Sequence, residues 1–301
     1  MSPRIPALCA LLLSAAVQAA TTGGIDLQAN REPIRAAKNP AAIALIPANF
    51  HFAVPGKLTV AVAFENSPPL ALFAEDNKTL IGSDPDIARL VADSLGLELN
   101  LVPTSWEDWP LGISAGKYDA AIFNIAVTKQ RKTKFDFATY RVDTLGFYVK
   151  STSHITSINR PQDVAGLRII VGSGTNQENI LLGWDKQNRA AGLPPVQPIY
   201  VTDDAATNLS IQSGRADAFF GPHSTGAYKA ALTGKTKMVG IGPSVAYVAV
   251  TTKKGNGLVN AVNAAINGAI VSGEYAQVLE RWGEGDEKVE RSTINPPGIG
   301  D

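Results

Sequence analysis

One frame is written twice in this chain. Leu111–Asn124 reads LGISAGKYDAAIFN, and Leu209–Pro222 reads LSIQSGRADAFFGP. Both copies place leucine, an apolar residue, a small residue, glycine, a base and Asp-Ala at the same intervals, followed by apolar residues. Each copy predicts a short helix, a left-handed turn at Gly116 or Gly214, and a strand buried on both faces. Two copies at so long a spacing exclude a short-period solenoid. Two such units need two places to sit, so two similar lobes are expected rather than one sheet. Ligands of open parallel sheets gather at the carboxyl ends of strands. Asn124 and Pro222 end the two repeated strands, so they are expected to face each other across a cleft.

The rest of the chain supports an α/β class. KLTVAVAF (57–64) and LELNLVP (97–103) read as strands, as do LGFYVK (145–150) and LRIIVGSGT (167–175). MVGIG and VAYVAVTTKK, after the second copy, are also strand-like. The helix IARLVADSLG carries Ile87, Leu90, Val91 and Leu95 on one face and stops at Gly96. Asp84 is the expected cap of that helix, with Pro85 at its first position and Asp86 at the positive end of its dipole. Near the end, GLVNAVNAAINGAIVSGEYAQVLERWG reads as two helices parted by Ser272-Gly273. Strands alternating with helices mean mostly parallel sheets.

The first residues, MSPRIPALCALLLSAAVQA, give a basic start, an apolar run and a small-residue end. That order predicts a secretory signal over 1–19, cut after Ala19; the run is too short to span a bilayer. Cys9, the only cysteine, lies inside it, so the mature chain has no disulfide and no cysteine metal ligand. Residues 20–56 read as a partly ordered arm. The 27 basic and 27 acidic residues give zero formal charge, and no basic patch argues for nucleic acid. His51, His154 and His223 show no metal-ligand spacing. There is no GxSxG elbow, P-loop or HExxH. Neither a metal nor a cofactor is expected, although an enzyme built from carboxylates stays open.

Two stretches can hold an anion. Arg131 follows Thr128 by three residues, close after a strand end. A guanidinium fork matches a carboxylate with two parallel hydrogen bonds. An ordinary surface arginine among Lys129, Lys132 and Lys134 fits the same spacing. VGSGTNQEN (171–179) is a glycine-rich turn into a helix, whose free N–H groups suit a carboxylate or phosphate. It fits equally a plain strand-to-helix connection, and it lacks the third glycine of a dinucleotide fingerprint.

Together, GSDPDIA (82–88), W-x6-ISAGKYD (106–119), T-x2-R-x3-FDF (128–137), VGSGTNQE (171–178), SGRADA (213–218) and EYAQVLERWG (274–283) form an ordered set. From about Lys57 to the end the chain resembles the extracytoplasmic solute-binding proteins of polar amino-acid ABC importers, family 3. The resemblance implies a two-lobed periplasmic binding protein fold of type II, in which two crossover strands form the hinge. The crossings are expected near Tyr148–Ser151 and Ser244–Ala249. Lobe one then spans 57–148 and 249–283, lobe two 149–248, and 284–301 is a loop-like tail. The implied protein is periplasmic and monomeric, closes around a small carboxylate-bearing ligand and hands it to a membrane permease.

By the same resemblance Arg131 takes the ligand carboxylate, shared with Gly174, Thr175 and Asn176 at a helix start. Trp106 is an apolar wall, and Asn124, Ala126 and Thr128 belong to the strand-end loop that offers polar contacts. The family usually places an acid where Pro222 stands, to hold an ammonium. Proline offers neither charge nor donor. Ala126 replaces a common hydroxyl, and Ser67 falls near the usual aromatic lid. Either Glu65, Asp203 or Asp204 supplies the missing charge, or the ligand class has changed. An enzyme resembling cyclohexadienyl dehydratases, using Glu65 or Glu178 as acid, and a ligand-binding partner of a sensory receptor are the alternatives.

Overall fold

A computed structural model describes residues 21–22, 25–26, 32–63, 67–201 and 203–301. The expected signal segment and Glu65 lie outside the described residues.

The first lobe starts with β1 (Lys57–Ala63), buried along almost its whole length. It pairs in parallel with β2 (Glu98–Thr104) on one side and with β3 (Ala120–Ala121) on the other. Continuous burial is why this strand shows no polar alternation. Helix α2 (Ser83–Ser94) joins β1 to β2. Asp84 does not cap it, contrary to expectation. The cap is Gly82 at φ 134°, and a Cβ there would lie 2.3 Å from the Leu70 carbonyl oxygen. Asp84 sits inside the first turn, buried, and accepts a hydrogen bond from Tyr140 Oη at 2.5 Å.

Both repeats fold as the same unit. In the first, α3 (Trp109–Ala115) ends at Gly116 in the left-handed conformation and leads into β3. In the second, α6 (Asp204–Gln212) is followed by Gly214 at φ 74° and by β7 (Ala218–Pro222). The shared aspartate has a matching task. Asp119 N–H donates to Thr59 O at 2.9 Å, while its carboxylate accepts from Thr59 N at 2.7 Å. Asp217 makes the same pair of bonds to Arg168, at 2.8 Å each. Each aspartate thus clamps its strand to the start of its parallel neighbour, which fixes register and satisfies a backbone N–H there. The strands differ in length. DAAIFN is a strand only over Ala120–Ala121, because Asn124 turns to φ 50° and kinks the chain. Pairing resumes through an Ala126–Val248 bridge.

The second lobe is built on β5 (Arg168–Val171), flanked by β7 and by β6 (Gln197–Tyr200), both parallel to it. Its core centres on Phe147, Ile169, Leu181, Trp184 and Phe220, with the Phe147 and Phe220 rings stacked 4.0 Å apart. The first lobe has its own core around Leu58, Val60, Ile87, Val91, Val262 and Ile266.

Two long antiparallel strands join the lobes, β4 (Phe135–Lys150) and β8 (Thr236–Lys253). They pair from Phe135 with Lys253 to Lys150 with Thr236, with irregularities at Ile241/Val245 and Val248/Ala249. Near one end β8 pairs with β3 at Thr251 and Thr252; near the other β4 pairs with β7 from Leu145 to Pro222 and from Val149 to Ala218. The expectation of separate sheets is corrected by this. The order is continuous, β6-β5-β7-β4-β8-β3-β1-β2, because both crossovers are long enough to serve as strands in each lobe.

Helices α8 (Leu258–Ser272) and α9 (Glu274–Arg281), parted by Gly273 at φ 98°, return to the first lobe. The arm and the tail are fastened there too. Asn39 caps helix α1 (Pro40–Ile43) and donates its N–H to Ser94 O at 2.8 Å. Arg35 pairs with Asp93 at 2.6 Å. Asn295 accepts from Phe137 N and donates to Asp136, both at 2.9 Å, and Ile299 pairs with Thr128. Among the described residues no helix is long and apolar enough to cross a membrane.

Candidate functional site

A cavity of about 240 Å³ opens between the lobes. Of the residues expected at a site, it is lined by Trp106, Asn124, Ala126, Thr175, Asn176 and Pro222. The two repeated strand ends therefore do meet across a cleft.

Arg131 lies just behind this wall. Thr128 caps the short helix α4 (Lys129–Lys132) by accepting from Arg131 N at 3.1 Å. That turn aims the guanidinium back beneath the strand-end loop. Arg131 Nη1 donates to Ala126 O at 2.9 Å, and the guanidinium carbon stands 5.1 Å from the Trp106 ring centroid. The indole face favours a cation. Among the described residues no carboxylate pairs with Arg131, and burial alone pulls its pKa down to about 10. Lys132, by contrast, pairs with Asp301 in the tail.

The opposite wall is the start of α5 (Asn176–Ala190). Thr175 caps it, accepting from Glu178 N at 3.1 Å and donating to Gly172 O at 2.7 Å. Glu178 reaches back and accepts from Gly174 N at 2.6 Å. So the N–H of Gly174 and the acid Glu178 are spent on one another, and the first-turn N–H groups beyond them remain at the positive helix end. A Cβ built on Gly174 would stand 3.8 Å from Trp106 Nε1, so the loops of the two lobes nearly touch there.

Pro222 ends β7 and begins α7 (His223–Thr233) directly; its carbonyl accepts from Thr225 Oγ1 at 3.0 Å. The two acids expected to replace the missing charge line the cavity but are engaged. Asp203 caps α6 through Ala206 N at 2.7 Å, and Asp204 pairs with Lys229.

Sequence reasoning missed a charged cluster on the hinge side. Arg141, fully buried in β4, donates to Asn124 Oδ1 and pairs with Glu287; Glu284 lies 3.6 Å away. Asn124 Nδ2 in turn donates to Asp143 Oδ2 at 3.1 Å. Asp84 and Asp143 both line the cavity, 1% and 5% exposed. Burial pushes each up to about 6, and Glu284 up to about 7, against the pull of Arg141. A signal was present: FDFATYRVDTLGFYVK puts Arg141 and Asp143 two apart, on one face of an otherwise buried strand. No group of three or more His, Cys, Asp or Glu among the described residues is arranged to hold a metal.

The sequence model of bacterial extracellular solute-binding proteins, family 3, matches residues 58–285. The L-cystine-binding protein TcyJ of Escherichia coli (strain K12) is 30% identical over 230 residues, which cover 74% of this chain and 82% of that protein. An ancestral arginine-binding protein, solved bound to arginine, superposes with a TM-score of 0.67 at 25% identity, covering 75% of this chain and 98% of the other. The ancestral amino acid-binding protein AncCDT-1, a precursor of cyclohexadienyl dehydratase, gives 0.66 at 25% identity, over 75% and 95% of the two chains.

Proposed function

We propose a role for this chain from the family to which it belongs, the bacterial extracellular solute-binding proteins of family 3. It binds an amino acid or a related small carboxylate outside the cytoplasm and delivers it to the permease of an ABC importer. The chain is exported by its first nineteen residues and works as a monomer. A cavity of about 240 Å³ is smaller than the pockets that enclose drug-sized ligands, and suits a solute of amino-acid size.

The observation that carries this reading is Arg131. A half-buried, partly desolvated guanidinium without a carboxylate partner is costly, and a ligand carboxylate is the partner its fork fits best. Its bond to the Ala126 carbonyl is exchanged for the incoming anion, and the start of α5 supplies N–H groups from the other lobe. Trp106 and Thr128 hold the guanidinium in place. Ligand that bridges both lobes favours the closed arrangement. In this division the chain passes between lobes at about 141–145 and 241–248, short of Tyr148–Ser151 on the first strand. Glu178 is engaged by the Gly174 N–H, so it is not offered as a general acid. Incubation with prephenate or arogenate is expected to give no product.

The test is a thermal-shift screen of the refolded protein against amino acids and simple carboxylic acids, followed by titration calorimetry with Arg131→Ala. A ligand at a hundred times its Kd adds about 2.7 kcal/mol. Arg131→Ala is expected to weaken binding at least roughly hundredfold; an unchanged affinity overturns the reading.

A further inference from the structure

Four carboxylates, Asp84, Asp143, Glu284 and Glu287, share one buried guanidinium, Arg141. Glu284 and Glu287 lie beside it without lining the cavity, whereas Asp84 and Asp143 line it. In each of these two aspartates one oxygen is engaged, Asp84 Oδ1 by Tyr140 and Asp143 Oδ2 by Asn124. The other oxygen in each, Asp84 Oδ2 and Asp143 Oδ1, is buried with no donor at hydrogen-bond geometry among the described groups, although the Asn124 backbone N–H lies near enough to Asp84 to draw its pKa down. A buried acceptor left open beside a cavity is costly unless something enters to meet it.

What enters must be a donor, and the local charge favours a cationic one. One guanidinium cannot balance four carboxylates, and mutual repulsion among them is strong at low dielectric. Elsewhere on the wall, Lys229 is matched by Asp204. Pro222, at the other strand end, brings no charge. We propose that Asp84 and Asp143 form a cation subsite on the hinge side of the cavity, which receives a positively charged nitrogen of the solute while Arg131 takes its carboxylate. The assignment rests on the carboxylate-carrier reading above and adds the second half of the ligand. The solute is a zwitterion or carries a further cation, and its nitrogen is read from the hinge strand rather than from the second lobe.

That nitrogen is either an α-ammonium or the end of a side chain. A matched five-carbon set separates them by calorimetry on the full mature chain. Pentanoate carries no nitrogen, norvaline an α-ammonium, 5-aminopentanoate a terminal ammonium, and ornithine both. A charge-assisted pair with two carboxylates is expected to make norvaline or 5-aminopentanoate roughly ten- to a hundredfold tighter than pentanoate, and the winner names the nitrogen. Asp84→Asn and Asp143→Asn are each expected to bring that compound's affinity down towards that of pentanoate. Thermal melts and circular dichroism establish that each variant is folded, and the wild-type series needs no variant at all.

Pentanoate binding as tightly as the amines overturns the cation subsite and leaves the carboxylate carrier standing. Folded asparagine variants that keep the full preference for an amine move the subsite away from these two residues and overturn the assignment. No response to any of the four overturns the carrier reading and the subsite with it.

Discussion

Asn124 and Pro222 close the same repeated unit, yet they stand in opposite surroundings. Asn124 takes φ 50°, leaves the ladder and places its amide between Arg141 and Asp143. Pro222 stays in register opposite Leu145 and passes straight into a helix, behind Phe219, Phe220 and Gly221. One copy ends in a polar kink above buried charge, the other in a plain apolar strand. A duplicated unit fixes how a lobe is built, because helix, turn and clamping aspartate are set by backbone geometry. It does not fix what the lobe recognises, because the strand-end residue carries no structural duty that the other copy needs. On the reading proposed above, recognition is divided unequally, with the charged contacts on the first lobe and its hinge strand.

The severest way to break the comparison is to remove the cation under Asn124. Arg141→Met leaves Glu284, Glu287, Asp84 and Asp143 without a counter-charge, and is expected to cost about 3–5 kcal/mol in urea unfolding. Pro222→Ala is expected to change stability by less than about 1 kcal/mol, which would sharpen the contrast; equal losses at the two strand ends would erase it.

Next comes pH. Asp84 and Asp143 near 6, and Glu284 near 7, hold their protons more tightly folded than unfolded. Their contribution to stability is full below about 4, the ordinary carboxylate range, and is lost as the pH rises through 6 to 7. The melting temperature of the ligand-free protein is expected to fall across that window, and Asp84→Asn to flatten the fall. A bound cationic solute should flatten it too, because it favours the ionised acids. A melting temperature that rises from pH 5 to 7.5 and ignores Asp84→Asn would show that this end of the molecule is not overcharged.

The two clamps give a smaller, graded effect. Asp119 is 5% exposed and holds two N–H groups, of Thr59 and of Ala53 in the arm. Asp217 is partly exposed and shares its carboxylate with the Arg168 guanidinium. Asp119→Ala is expected to cost more than Asp217→Ala, by about 1 kcal/mol, because Asp119 is the more buried and also holds the Ala53 N–H. Smallest is Thr175→Ala, a lost helix cap of about 1 kcal/mol, read in the same unfolding curves.

Much of this architecture was legible because it rests on local rules. Gly116 and Gly214 adopt the left-handed conformations their positions predicted, and Gly273 parts two helices where a break was expected. The cleft was legible too, since paired strand ends follow from the repeat. What escaped reading depended on long-range company. Asp84 looked like a cap, and only the packing of Gly82 on Leu70 shows why the helix starts two residues earlier. LGFYVK looked like a strand of six, because nothing in its sequence tells that FDFATY continues into it and pairs along β8. Arg141 and Asp143 were passed over because a charged pair inside a strand looks like surface until its neighbours are known to be buried.

The pairing of Thr144 with Val245 has a further consequence. Everything between these two residues enters and leaves the rest of the molecule at adjacent points. The arm at Arg35 and the tail at Asn295 are meanwhile tied to the other side of that doorway, Arg35 on Asp93 and Asn295 on Asp136. In chain topology the second lobe is an insertion in a loop of the first. A lobe inserted in this way leaves the scaffold that receives it with its own connections intact.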